Sequence, residues 1–133
     1  MLEVLSPAGS SDALVAAVQN GADAVYLGCG SFNARVNAKN FTLEQLHQWV
    51  SYCHIRGVKV YLTLNTLVLD RELKDVAREI LEASRAGVDA ILVQDLGVCQ
   101  LVRTLAPDVP IHASTQMAVH NLDGVLRAAE MGI

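Results

Sequence analysis

Two hydrophobic rhythms alternate along this chain. Short runs at residues 2–5, 24–27, 58–64, 90–93 and 110–115 are rich in β-branched side chains and almost continuously apolar. Unbroken apolarity of that kind marks strands covered on both faces, whereas a strand with one wet face alternates. Between the runs the spacing becomes helical. Leu73, Val76, Ala77, Ile80, Leu81 and Ser84 fall at i, i+3, i+4, i+7, i+8 and i+11, a stripe on one helix face. Leu43, Leu46, Val50 and Cys53 form a second stripe, and Val98, Leu101, Val102 and Leu105 a third.

Local signals divide the chain at the same places. Thr42 with Gln45 has the spacing of a capping box, and Asp70, Asp95 and Asn121 are residue types that cap helix N-termini. Gly21, Gly57 and Gly87 stand where a helix ends and the next strand follows, the position that favours a left-handed residue. Gly21-Ala-Asp-Ala-Val-Tyr-Leu and Gly87-Val-Asp-Ala-Ile-Leu-Val nearly repeat one another. Five βα units fit into one domain spanning residues 1–133, with no shift in composition to mark a linker. Alternating strands and helices give a mainly parallel sheet with right-handed crossovers. A five-stranded doubly wound sheet would be complete at this length. An eight-stranded barrel would need about 250 residues, so the alternative is part of a barrel. In that case Val25, Leu62 and Leu64 are expected on its uncovered inner face, which favours self-association.

Composition narrows the classes. With 52% apolar residues against 18% charged, the chain is not disordered. The net charge of −4 speaks against a wholly basic nucleic-acid-binding surface but leaves a local basic site open. No apolar run reaches the roughly 18 residues of a membrane span, and the N-terminus lacks the basic and apolar segments of a signal peptide. A cytoplasmic protein is expected. Cys29, Cys53 and Cys99 show neither CxxC spacing nor an even count, so neither a disulfide framework nor a zinc ribbon is indicated. Cys53 and Cys99 fall on apolar stripes, and Cys29, at a strand end, is the thiol expected to reach a site.

In both architectures ligands bind beyond the carboxyl ends of the strands. Polar residues gather there. They include Asn65 after the third run, Gln94 and Asp95 after the fourth, and His112, Ser114 and Gln116 on one face of the fifth. Residues 28–41 make a βα connection longer than usual, carrying Asn33, Arg35, Asn37, Lys39 and Asn40, and suit a clamp for a polar or anionic ligand. Gly28-Cys29-Gly30 opens like a dinucleotide fingerprint, but Asn33 occupies the third glycine position and no helix follows at once. His112 and Ser114 lack a nucleophile elbow, so a serine hydrolase is disfavoured.

Several of these words resemble the opening of peptidase family U32. They are Leu5-Ser6-Pro7-Ala8-Gly9-Ser10, Asn20-Gly21-Ala22-Asp23-Ala24-Val25-Tyr26-Leu27-Gly28 and Asn33-Ala34-Arg35-Val36-Asn37-Ala38-Lys39-Asn40-Phe41. Thr63-Leu64-Asn65-Thr66-Leu67, Val93-Gln94-Asp95-Leu96-Gly97 and Ile111-His112-Ala113-Ser114-Thr115-Gln116-Met117 follow in the same order. The resemblance implies a TIM-like (βα) barrel, of which this chain is the N-terminal portion with about five βα units. It implies either collagenase-type proteolysis or iron–sulfur-dependent hydroxylation of a tRNA or rRNA base, with prephenate as co-substrate. The family's cluster-binding cysteines are expected downstream, with no metal ligands in this segment. Arg35, Asn37, Asn65, Gln94, His112, Ser114 and Gln116 then line the substrate side, and no catalytic residue is singled out. The expected reading is a part of an RNA-base hydroxylase that is inactive alone, binds RNA in its whole form and self-associates. A collagenase-like protease and a non-catalytic binding scaffold are the alternatives.

Overall fold

The computed structural model describes residues 2–34 and 41–133. Five strands, β1 (Leu5–Pro7), β2 (Ala24–Leu27), β3 (Lys59–Leu64), β4 (Ala90–Val93) and β5 (Ile111–Ala113), alternate with α1 (Ser11–Gln19), α2 (Leu43–His54), α3 (Leu73–Ala86), α4 (Leu96–Leu105) and α5 (Leu122–Glu130). All strand pairs are parallel, and the sheet order β1-β2-β3-β4-β5 follows the chain without a reversal. A doubly wound sheet requires a reversal point, so that alternative is excluded.

Start and stop chemistry accounts for most boundaries. Thr42 and Gln45 form the capping box of α2, with Gln45 N donating to Thr42 Oγ1 at 3.3 Å and Thr42 N to Gln45 Oε1 at 3.3 Å. Asn121 Oδ1 caps α5 through Gly124 N at 2.8 Å. Gly21, Gly57 and Gly87 hold φ of 88°, 72° and 82°, the left-handed conformation that a side chain disfavours. Asp70 departs from expectation: it begins a 3-10 turn, Asp70–Glu72, and α3 starts at Leu73. There Glu72 Oε2 accepts from Leu69 N at 2.8 Å and caps the turn instead. The first and fifth strands are shorter than their apolar runs. Val4 pairs with the turn before β2, its N donating to Asp23 Oδ2, and β5 ends where Ser114 caps the 3-10 turn Thr115–Met117.

The two sheet faces differ. Val25, Leu27, Val60, Leu62, Leu64, Ile91, Val93 and Ile111 point toward the helices. They share one buried cluster with Leu14, Leu46, Val50, Val76, Ile80, Val98 and Val102 from α1 to α4. The opposite parity gives a small cluster of strand residues alone, in which Tyr26 and Leu92 pack against Ala24, Tyr61 and Ala90. The strands are therefore helix-covered on one face, not both. Their unbroken apolar look arises because alanine, tyrosine and leucine occupy the second face. Val25, Leu62 and Leu64 lie on the helix side at 0%, 0% and 1% exposure, fully packed. Membership of a run does not determine which parity faces inward, and here the helices took those three.

Candidate functional site

The carboxyl ends of the strands surround a cavity of about 470 Å³ on the face without helices. Parallel register sets its layers. Thr63, Leu92 and His112 stand in one row, and Tyr26, Tyr61 and Ala90 in the row beneath. Tyr26, Leu92 and His112 supply the planar and apolar wall, and Asn33, Asn65, Ser114 and Gln116 the polar one. None of the described lining residues is Asp, Glu, Lys or Arg.

Hydrogen bonds fix much of this wall. Asn65, just past β3, accepts from Ala34 N through Oδ1 at 3.0 Å and donates through Nδ2 to Ser114 Oγ at 3.2 Å. One amide thus ties the loop after β2 to the end of β5. Thr63 Oγ1 donates to Leu27 O at 3.1 Å. Asn33 is buried and donates to the carbonyls of Cys29 and Gly30, each at 3.3 Å. Its side chain packs on Gly28 so closely that a Cβ there would lie 2.5 Å from Asn33 Cγ. That contact by itself accounts for a glycine at this position. Phe41 N donates to Gly28 O at 3.2 Å, and Cys29 and Phe41 form an isolated parallel bridge, so both flanks of the long connection are anchored.

Beneath the cavity the His112 ring meets Tyr61 edge-on, with centroids 5.0 Å apart. Tyr61 Oη donates to Glu3 Oε1 at 2.7 Å, and Lys59 Nζ to Glu3 Oε2 at 2.9 Å. The bond from Tyr61, then that from Lys59, lowers the Glu3 pKa.

Of the residues expected from sequence, Asn65, His112, Ser114 and Gln116 come together around this cavity. Gln94 sits half-buried past the end of β4 and is not among the lining residues. Arg35 and Asn37 lie outside the described residues, as do Lys39 and Asn40. Asp95 is a helix cap, its Oδ1 accepting from Gly97 N and Val98 N at 2.7 and 3.1 Å. Cys29 corrects an expectation. It is fully buried in the helix-side core, its Sγ 4.0 Å from Thr42 O, and burial pushes its thiol up to about 12. Thr63, a polar residue at the end of the third run, also lines the cavity, whereas sequence reading missed Tyr26 and Leu92, whose strand parity, once the inner face is known, assigns them there.

The three cysteines do not fit an iron–sulfur cluster. Each is buried in the apolar core with its pKa raised by desolvation. No group of three or more metal-ligating side chains occurs among the described residues. No helix among them is long and apolar enough to cross a membrane.

Comparison with known proteins places this geometry. The model of peptidase family U32 matches residues 9–133, and the chain belongs to that family. It is 48% identical over 122 residues to an uncharacterized protease of Methanocaldococcus jannaschii, covering 91% of this chain and 29% of that protein. It is 38% identical over 131 residues to the 23S rRNA 5-hydroxycytidine C2501 synthase of Escherichia coli, covering 98% and 19%. Other relatives bear the names collagenase and tRNA hydroxylation protein P. The chain therefore spans less than a third of the relatives it matches. The solved U32 peptidase Mk0906 shares the fold, with a TM-score of 0.78 at 18% identity over 99% of this chain and 56% of that one.

Proposed function

We propose that the chain is the substrate-binding, N-terminal part of a U32 enzyme that hydroxylates a base of tRNA or rRNA, and that its one-sided sheet is an arc of a (βα) barrel. The observation that carries the reading is the makeup of the cavity, planar and apolar side chains beside amides and hydroxyls of fixed polarity, with no Asp, Glu, Lys or Arg among its described lining residues. A flat heterocycle with a donor and acceptor edge suits such a wall. Its faces stack on aromatic or apolar groups, and its edge bonds to amides and hydroxyls. The relatives named for rRNA and tRNA hydroxylation support the same direction. Arg35 and Asn37 belong to this proposal as contacts to the RNA backbone.

Proteolysis is the second reading, favoured by relatives named as a protease and a collagenase and by the shared place of His112 and Ser114 in the cavity wall. It needs an activated nucleophile or a metal-bound water. Ser114 Oγ instead accepts from Asn65 Nδ2 and Gln116 N, both at 3.2 Å, and the Cys29 thiol is held neutral in the core. A scaffold that binds without catalysis would use the same wall. In the whole protein we assign any iron–sulfur cluster to residues outside these 133, with prephenate as the oxygen-linked co-substrate and the cytoplasm as the place of action. Taken alone, the chain is proposed to self-associate, covering Leu122, Val125 and Leu126 of α5, which are 71%, 53% and 54% exposed.

Titration of the chain with a short uridine-containing RNA and, separately, a collagen-like peptide tests the reading. Saturable binding of the RNA alone is expected. Binding and cleavage of the peptide without RNA binding would overturn it in favour of the protease.

A further inference from the structure

We infer that Ser114 is a specificity-determining residue whose hydroxyl, made donor-only by Asn65, binds a carbonyl-type acceptor of the ligand; the inference rests on the base-binding reading above and names the atom class the site selects. A serine hydroxyl has one proton to donate and two lone pairs to accept with. Here both lone pairs are engaged, by Asn65 Nδ2 and by Gln116 N, each at 3.2 Å. Neither donor can reverse its role. Gln116 N is a backbone amide, and the Asn65 side chain is oriented by Ala34 N, which requires the carbonyl oxygen Oδ1 on its own side at 3.0 Å. Turning the amide over would set Nδ2 against that N–H. The only capacity left to Ser114 is its O–H.

That proton has no acceptor among the described residues, although Ser114 is buried, at 4% exposure for the residue as a whole. Buried donors without partners are costly, at about 1–3 kcal/mol, and uncommon in folded proteins. Ser114 also lines the cavity, so a ligand atom there is the partner its geometry provides for. An sp² oxygen fits, because a second donor would be repelled and an apolar group would leave the proton unsatisfied. Asn65 is the positioning residue, since it sets the polarity of Ser114 from the end of β3.

The test uses the full chain with uridine, 2-thiouridine and 4-thiouridine, and with an N-acetylated dipeptide amide as a non-nucleoside carbonyl. Sulfur accepts hydrogen bonds poorly, so one of the two thio probes should bind wild type about 5- to 10-fold more weakly than uridine. Ser114→Ala should weaken uridine by a similar factor and bind all three nucleosides alike. Asn65→Asp offers Ser114 a carboxylate to donate to, so it should erase the same discrimination with the serine still present. Should Ser114→Ala not fold, the thio comparison in wild type and Asn65→Asp decides alone. Uridine binding with discrimination unchanged in both variants overturns the role of Ser114 and leaves the base reading standing. Binding of the dipeptide amide instead, weakened by Ser114→Ala, keeps the donor role and overturns the base reading. Binding of neither probe overturns both.

Discussion

The two faces of the one sheet are built for different purposes. On the helix side, Val25, Leu62, Ile91 and their neighbours interlock with four helices, and hardly a side chain touches water. On the other, short and amphipathic residues leave a cavity, and amides and hydroxyls at the strand ends hold one another in fixed orientations. Stability is concentrated where apolar area is removed from water. Recognition is concentrated where polar groups are satisfied only in part. The same strands serve both because successive side chains point to opposite faces.

The contrast can be broken most severely from the packed side. Leu62→Ala should cost about 2–5 kcal/mol in chemical denaturation, the range for a large buried aliphatic truncated in a rigid core. Leu92→Ala, one face over and half-buried, should cost about 1 kcal/mol or less. Equal costs would mean that the two faces are packed alike.

Glu79 is the polar exception on the packed side. It lies on α3 at 3% exposure with no hydrogen-bond partner for Oε1 among the described residues, under Gly30, and burial raises its carboxyl to about 8. The folded state therefore keeps its proton to higher pH than the unfolded chain, where ionisation occurs near 4.5. Below pH 4.5 the group has no effect. Between 4.5 and about 8 wild-type stability should fall, by at most about 1.4 kcal/mol per pH unit, and above that the penalty is constant. Glu79→Gln removes this dependence and should raise stability at pH 8 by about 4 kcal/mol. Denaturant melts across the range check it, and parallel curves for both proteins would contradict it.

Gly28→Ala sharpens the comparison from the cavity side. A Cβ 2.5 Å from Asn33 Cγ must displace that side chain, which predicts a loss of about 1–3 kcal/mol in thermal melting. A cost near zero would show the wall to be pliable. The smallest effect belongs to the outer surface. Arg127→Ala breaks a pair with Glu130 at 2.7 Å whose side chains are 74% and 65% exposed, and stability should change by less than about 0.5 kcal/mol.

Much of this was legible beforehand. The capping box at Thr42 and Gln45, the left-handed glycines and the helix stripes are local, and local chemistry decided them. Four of the seven candidate site residues, Asn65, His112, Ser114 and Gln116, line the cavity because strand-end position is itself readable. What failed needed a third dimension. Parity alone could not assign Val25, Leu62 and Leu64 to the helix side or Tyr26 and Leu92 to the cavity, since all are apolar. Cys29 looked accessible from its place at a strand end, yet Phe41 closes over that position through a bridge joining residues 12 apart in the sequence. The Asn65 link to Ser114 spans 49 residues, and no spacing rule announces it.

The central claim is that the helix-free face binds the ligand through its strand-end wall. Backbone amide chemical shifts of the isotopically labelled chain, recorded as uridine is added, test it most directly. The account predicts saturable shifts confined to Ala34, Asn65 and residues 112–116, with the amides of α2 and α3 unmoved. Saturable shifts centred on the helices, or on the apolar side of α5, would contradict it.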